Sequence, residues 1–126
     1  MSSAKDVMKK KFKVLFSSDS MRQACSVIIK GKISGAPVIA KSGKLIGFLS
    51  EKDIIKYLSK SKVAKCKVSD IMIKKVKSVD IGESLSKIAK IFTEKPYRRI
   101  PVTSEGKVVG IINRADIMDS LLSEHY

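Results

Sequence analysis

Apolar residues recur along this chain at two spacings, and the spacings alternate twice in the same order. Residues 12–16 form a short apolar run with the composition of a strand. From Ser20 the spacing becomes helical: Met21, Ala24, Cys25, Ile28 and Ile29 fall at i, i+3, i+4, i+7 and i+8. Ser20-x-x-Gln23 has capping-box spacing, and Gly31 marks the stop. Ala36-Pro37-Val38-Ile39-Ala40 predicts a strand with Pro at its start, where a missing N–H is tolerated. Lys41-Ser42-Gly43-Lys44 predicts a turn, and residues 45–49 the second strand of a hairpin. Ser50 then caps a helix whose Ile54, Ile55 and Leu58 face inward. The order returns with a strand over 77–81 and a helix carrying Leu85, Ile88, Ala89 and Phe92. A hairpin of 100–103 and 108–112 follows, then a last helix with Ile117, Met118, Leu121 and Leu122.

The repetition extends to single residues. Asp6-Val7-Met8 returns as Asp70-Ile71-Met72, Ser20-Met21 as Ser84-Leu85 and Pro37-Val38 as Pro101-Val102, all at a spacing of 64. Gly43-Lys44, Gly47 and Asp53-Ile54 return as Gly106-Lys107, Gly110 and Asp116-Ile117, at a spacing of 63. The slip of one falls between Pro37 and Gly43, where Lys41-Ser42 reads as a surface turn. A long repeat present only twice argues against a solenoid and for two packed copies. A half of about 60 residues would bury a marginal core alone. The expected fold is therefore α+β, two β-α-β-β-α repeats packed face to face. The first repeat covers 1–60, a linker 61–67 and the second repeat 68–126.

Composition narrows the function. Apolar residues make up 44% of the 126, as in a soluble globular protein. No apolar run approaches the ~20 residues that span a bilayer. The lysine-leading N-terminus lacks a signal-peptide stretch, so a cytoplasmic location is expected. There are 26 basic and 12 acidic residues, for a net charge of +14. That field favours anionic partners: nucleotides, nucleic acid or an acidic protein. Nucleic-acid readers commonly add aromatic stacking, whereas this chain has no Trp and disperses its lysines, with Lys9-Lys10-Lys11 the one tight cluster. A solvated lysine surface accounts for the same pattern. Cys25 and Cys66 read as two reduced thiols, and with His125 they make no metal site. Neither a Cys–His pair nor a phosphate-binding glycine loop stands out, so no enzyme is expected.

The run Val68-Ser69-Asp70-Ile71-Met72, the helix after Ser84, Ile100-Pro101-Val102, Gly106-Lys107-Val108-Val109-Gly110-Ile111 and Asp116-Ile117 resembles a cystathionine β-synthase (CBS) domain. Residues 4–58 resemble a second copy. The resemblance covers nearly the whole chain. It implies a stand-alone tandem module, its repeats packed with pseudo-two-fold symmetry, that binds adenosine-containing ligands (AMP, ADP, ATP or similar) in two clefts and needs no other cofactor. It further implies a homodimer and an effector protein under its control, as in energy sensing. Met21, Ile55, Tyr57, Met118 and Leu122 exceed what one small core needs and suit the dimer face.

Gly47-Phe48-Leu49-Ser50-Glu51-Lys52-Asp53 matches the family's ribose signature. A carboxylate accepts hydrogen bonds from both ribose hydroxyls, and a helix start favours phosphate. Ser50-x-x-Asp53 is equally an ordinary helix-capping arrangement, and the two roles are compatible. The resemblance places Arg98 and Arg99 against the ligand of Ser50 and Asp53, with Lys77 as a further charge and Val76 and Val79 against adenine. Two surface arginines on a basic protein are the plain alternative. The second set is poorer: Asn113 replaces the signature Ser beside Asp116, and Ser34 and Gly35 stand where the arginines would be. Lys13 and Arg114 partly compensate, and the Asn113 cap is expected to survive. One stronger and one weaker site are expected. A nucleic-acid-binding protein and a dimerisation scaffold with degenerate clefts are the competing readings.

Overall fold

The computed structural model describes residues 2–60 and 65–125, so the expected linker lies partly outside the described residues. The chain forms two compact units: a continuous one, Lys13–Val76, and a split one, Met1–Phe12 with Lys77–Tyr126. The expected α+β class holds, with one three-stranded sheet in each unit.

The continuous unit contains β1 (Leu15–Phe16), α2 (Met21–Gly31), β2 (Gly35–Ile39), β3 (Leu45–Ser50), α3 (Glu51–Lys60) and α4 (Val68–Ile71); α1 (Ala4–Val7) precedes it in the chain. The sheet order is β1-β2-β3, with β1 parallel and β3 antiparallel to the central β2. Pro37 is the third residue of β2 rather than its start. It is tolerated because β1 pairs only from Val38 onward, leaving Pro37 one strand neighbour, Phe48. That limited pairing also cuts β1 to two residues where five were expected.

Ser20 caps α2 reciprocally: its Oγ accepts from Gln23 N–H at 3.1 Å, and Gln23 Oε1 accepts from Ser20 N–H at 2.7 Å. The helix runs through Gly31 and stops at Lys32, whose φ of 52° is left-handed. Met21, Ala24 and Ile28 are buried, while Ile29, expected on the same stripe, is 73% exposed. Full burial of Met21 removes it from the expected dimer face. On α3 only Ile54 is buried; Ile55 and Leu58, expected to face inward, are exposed. Burial pushes the half-buried Cys25 thiol above its ordinary pKa, and neighbouring Cys66 adds to the effect. At pH 8 Cys25 therefore holds less thiolate than a free cysteine. Iodoacetamide labelling followed by mass spectrometry is expected to be slow there and to accelerate as pH rises; labelling at the free-cysteine rate contradicts it.

The split unit contains α1, β4 (Val79–Asp80), α5 (Leu85–Glu94), β5 (Arg99–Ser104), β6 (Lys107–Asn113) and α6 (Arg114–His125). Its sheet repeats the first in order and direction, and β4 again has two residues because pairing with β5 begins at Val102, after Pro101. The one-residue slip between repeats lies in the hairpins. β2–β3 pairing ends at Ile39–Leu45, whereas β5–β6 closes on Ser104–Lys107 around Glu105 and Gly106, both at positive φ. Ile117 on α6 is buried, and Met118 and Leu122 are exposed.

The short helices α1 and α4 explain the repeated Asp-x-Met. Each sits in the unit built on the other repeat's sheet. Lys9 and Ile111 exchange backbone hydrogen bonds of 2.8 and 3.0 Å, bringing Met8 onto Gly110 of β6. Phe48 and Ile73 do the same at 2.9 Å each, bringing Met72 onto Gly47 of β3. Ala4 and Val68 complete the respective cores. Four-residue helices carry too little periodicity to be read from sequence.

Candidate functional site

In the continuous unit, the β2–β3 register pairs Gly35 with Ser50, and Glu51 N–H donates to Ser34 O at 2.8 Å. A Cβ on Gly35 would lie 2.8 Å from Phe48 Cε1 and 2.9 Å from Leu49 O, so this close approach requires glycine. Ser50 ends β3 and starts α3. Its Oγ accepts from Asp53 N–H at 3.2 Å and donates to Asp53 Oδ2 at 2.7 Å. The capping role is thus present, and it fixes the carboxylate at the helix N-terminus. Ser34, Gly35, Ser50 and Asp53 come together by this register. Exposed Lys13 and half-buried Val76 stand at the two chain ends of the unit.

Asp53 also lines a groove of about 550 Å³ whose other walls are Lys56, Tyr57, Lys60, Asp70 and Ile71. The α3 residues fall at i, i+3, i+4 and i+7, one face of the helix, opposite the end of α4. Of this set the sequence marks Asp53 as a ligand residue and Tyr57 as a dimer-face residue. The helical spacing of Lys56, Tyr57 and Lys60 behind Asp53 is the signal for the others, and Asp70 stands out only through the repeat and the family resemblance.

In the split unit, Arg99 pairs with Asn113 across β5–β6, and Arg114 N–H donates to Arg98 O at 3.3 Å. Arg98, Arg99, Asn113, Arg114 and Asp116 therefore gather at one end of this sheet. Asp116 Oδ2 accepts the Asn113 N–H at 2.8 Å, and Lys9 Nζ lies 4.0 Å from its other oxygen. The expected side-chain cap from Asn113 does not form: its Oδ1 is buried without a hydrogen-bond partner among the described residues. Ser50 and Asn113 thus hold equivalent positions with different bonding. Exposed Lys77 opens the second segment of this unit, with Val79 buried two residues on.

Among the described residues, no group of three or more His, Cys, Asp or Glu is placed to hold a metal ion. No helix of the described residues is long and apolar enough to cross a membrane.

Residues 4–60 and 68–123 each match the family model described as the CBS domain. The uncharacterized protein MJ1426 of Methanocaldococcus jannaschii is 30% identical, covering 94% of this chain and 90% of its own. The crystal structure of CBSX2 in complex with AMP has a TM-score of 0.83 at 25% identity, covering 98% of both chains; CBSX2 is a CBS-pair protein from Arabidopsis thaliana. The CBS domain pair of protein MJ0100, in complex with 5′-methylthioadenosine and S-adenosyl-L-methionine, has a TM-score of 0.81 at 26% identity, again covering 98% of both.

Proposed function

Because the chain belongs to the CBS-domain family and carries the domain twice, we propose that it is a regulatory module without chemistry of its own. It binds an adenosine-containing ligand and passes the binding free energy to an effector protein. The observation that carries this reading is Asp53, held by Ser50 at a helix start and open to a groove. The ligands of CBSX2 and of the MJ0100 pair share a ribose 2′,3′-diol, the group a carboxylate recognises by accepting both hydroxyl protons. Arg98, Arg99 and Lys77 carry charge suited to phosphate in the split unit, and Val76 offers apolar surface suited to adenine in the continuous one. Asp116 with Asn113 and Arg114 makes a poorer set than Asp53 with Ser50, since Asn113 lacks the hydroxyl of Ser50. The ligand acts on the effector by favouring one conformation over another.

The test is a thermal-shift screen with AMP, ADP, ATP, NAD and S-adenosylmethionine. A ligand at a hundredfold its Kd adds about 2.7 kcal/mol, or roughly 10 °C for a chain of this size. No shift with any adenosyl compound leaves the scaffold reading instead. Calorimetry with the best ligand is expected to separate one stronger from one weaker event per chain; two equal events count against the asymmetry.

We place the module in the cytoplasm as a homodimer, whose contacts use the apolar residues left exposed, Ile55 and Leu58 on α3 and Met118 and Leu122 on α6. A one-chain mass by light scattering removes that part of the proposal. A second reading has its own observation: Lys10, Lys11 and Lys13 return 64 residues on as Lys74, Lys75 and Lys77, all exposed. It predicts nucleic-acid affinity that falls steeply with salt and ignores Asp53→Ala.

A further inference from the structure

Helices α3 and α6 are equivalents in the repeat, and Ile55 of α3 stands where Met118 of α6 stands, 65% and 67% exposed. Their apolar stripes differ in charge along one margin. On α3, Lys52, Lys56 and Lys60 recur at four-residue spacing and line one side of the stripe of Ile55 and Leu58. On α6 the same three positions hold Ala115, Asp119 and Ser123, beside Met118 and Leu122. The sign also inverts at the helix start, where Glu51 answers to Arg114. All these residues are exposed, and none forms an ion pair among the described residues. Three lysines against Glu51 and Asp53 leave α3 at +1; Arg114 against Asp116, Asp119 and Glu124 leaves α6 at −2 with His125 neutral. Helix α2 has only Arg22 and Lys30, and α5 has Lys87 and Lys90 against Glu94. Within a chain of net charge +14, α6 is thus the acidic one of these four helices.

We propose that the two faces pair head to tail between copies of this chain, α3 of one copy on α6 of the other. The apolar stripes supply the contact, and Asp119 of one copy lies against Lys52 and Lys56 of the other. With two-fold symmetry the contact is made twice, α3 on α6 and α6 on α3. Head-to-head pairing sets each face on itself instead. It brings the lysine margin of α3 against its own copy and Asp119 against Asp119, and like charges across an interface disfavour that arrangement. Ile55 and Met118 are close in size, so the apolar residues do not choose between the two pairings; the charged margins do. This inference deepens the homodimer reading above and rests on it.

The test is sedimentation equilibrium of the full chain and of Lys56→Glu, Asp119→Lys and the double variant. Lys56→Glu is expected to weaken the dimer roughly 10–100-fold, because each contact exchanges an attraction for a repulsion. That loss runs against the general effect of lowering the net charge, which favours association of so basic a chain. Asp119→Lys is expected to weaken the dimer as well. Lys56→Glu/Asp119→Lys, with the parent's net charge, is expected to return to within roughly 3-fold of the parent. Since the double variant carries both substitutions, its recovery separates interface charge from damage to the fold. A Lys56→Glu chain that dimerises as well as the parent, or a double variant no better than the single ones, overturns the head-to-tail pairing and leaves the homodimer intact. A parent that stays one chain at every concentration removes the homodimer, and this pairing with it.

Discussion

Gly110→Ala is expected to cost about 1–3 kcal/mol of stability, the usual penalty for overpacking a close contact. A Cβ there would fall 2.8 Å from Met8 Cγ and 3.0 Å from Met8 Cβ. The Met8 segment cannot retreat freely, because Lys9 next to it exchanges two backbone hydrogen bonds with Ile111. Gly47→Ala meets the same obstacle in the other unit. Its Cβ would lie 2.9 Å from Met72 Cγ and 3.0 Å from Ile73 O, and that carbonyl is committed to Phe48 N–H. The side-chain clash can relax by rotation, the carbonyl clash only by loss of the pair. Gly47→Ala therefore sits at the upper end of the range. Adding Met8→Ala to Gly110→Ala removes the Sδ and Cγ contacts and recovers part of the loss, a coupling that two independent sites would not show. Urea melts of the single and double variants read this directly. A Gly110→Ala chain as stable as the parent would mean that Met8 does not lock onto β6.

This lock also shows what the sequence could and could not reveal. The duplication was legible because Gly47, Gly110, Met8 and Met72 hold their spacing, and the α+β order followed from apolar periodicity. The exchange of α1 and α4 between units was not legible. Asp6-Val7-Met8 and Asp70-Ile71-Met72 are too short for a helical period, and nothing local says which sheet they cover. Apolar residues misled where a helix has more of them than its buried face needs. Ile29, Ile55 and Leu58 continue a stripe in sequence but stand in solvent, while Met21, read as surplus, is core. Ser50 and Asp53 stand out in the sequence through their signature spacing. The rest of the groove was missed because Lys56 and Lys60 look like any other exposed lysines until α4 is placed opposite them.

Asp53→Ala is expected to weaken the adenosine ligand by about 10–100-fold, and Ser50→Ala by much less. The pair separates the two roles that one bonding pattern supports. Ser50 Oγ accepts the Asp53 N–H, so Ser50→Ala removes the helix cap, worth about 1 kcal/mol. Asp53→Ala keeps that backbone bond but removes a carboxylate from the first turn, also worth up to about 1 kcal/mol through the helix dipole. Stability therefore does not tell the variants apart, and affinity does. A ribose-binding carboxylate gives up charge-assisted hydrogen bonds of about 1.5–3 kcal/mol when deleted, which is one to two decades in Kd. In Ser50→Ala the carboxylate remains and only loses the hydroxyl that holds Oδ2 at 2.7 Å, so the loss is one of positioning. Calorimetry on both variants, at temperatures well below their melting points, gives the comparison. Equal losses of affinity would make Asp53 a capping residue whose effect on binding is indirect. Unchanged affinity in Asp53→Ala would remove it from the ligand altogether.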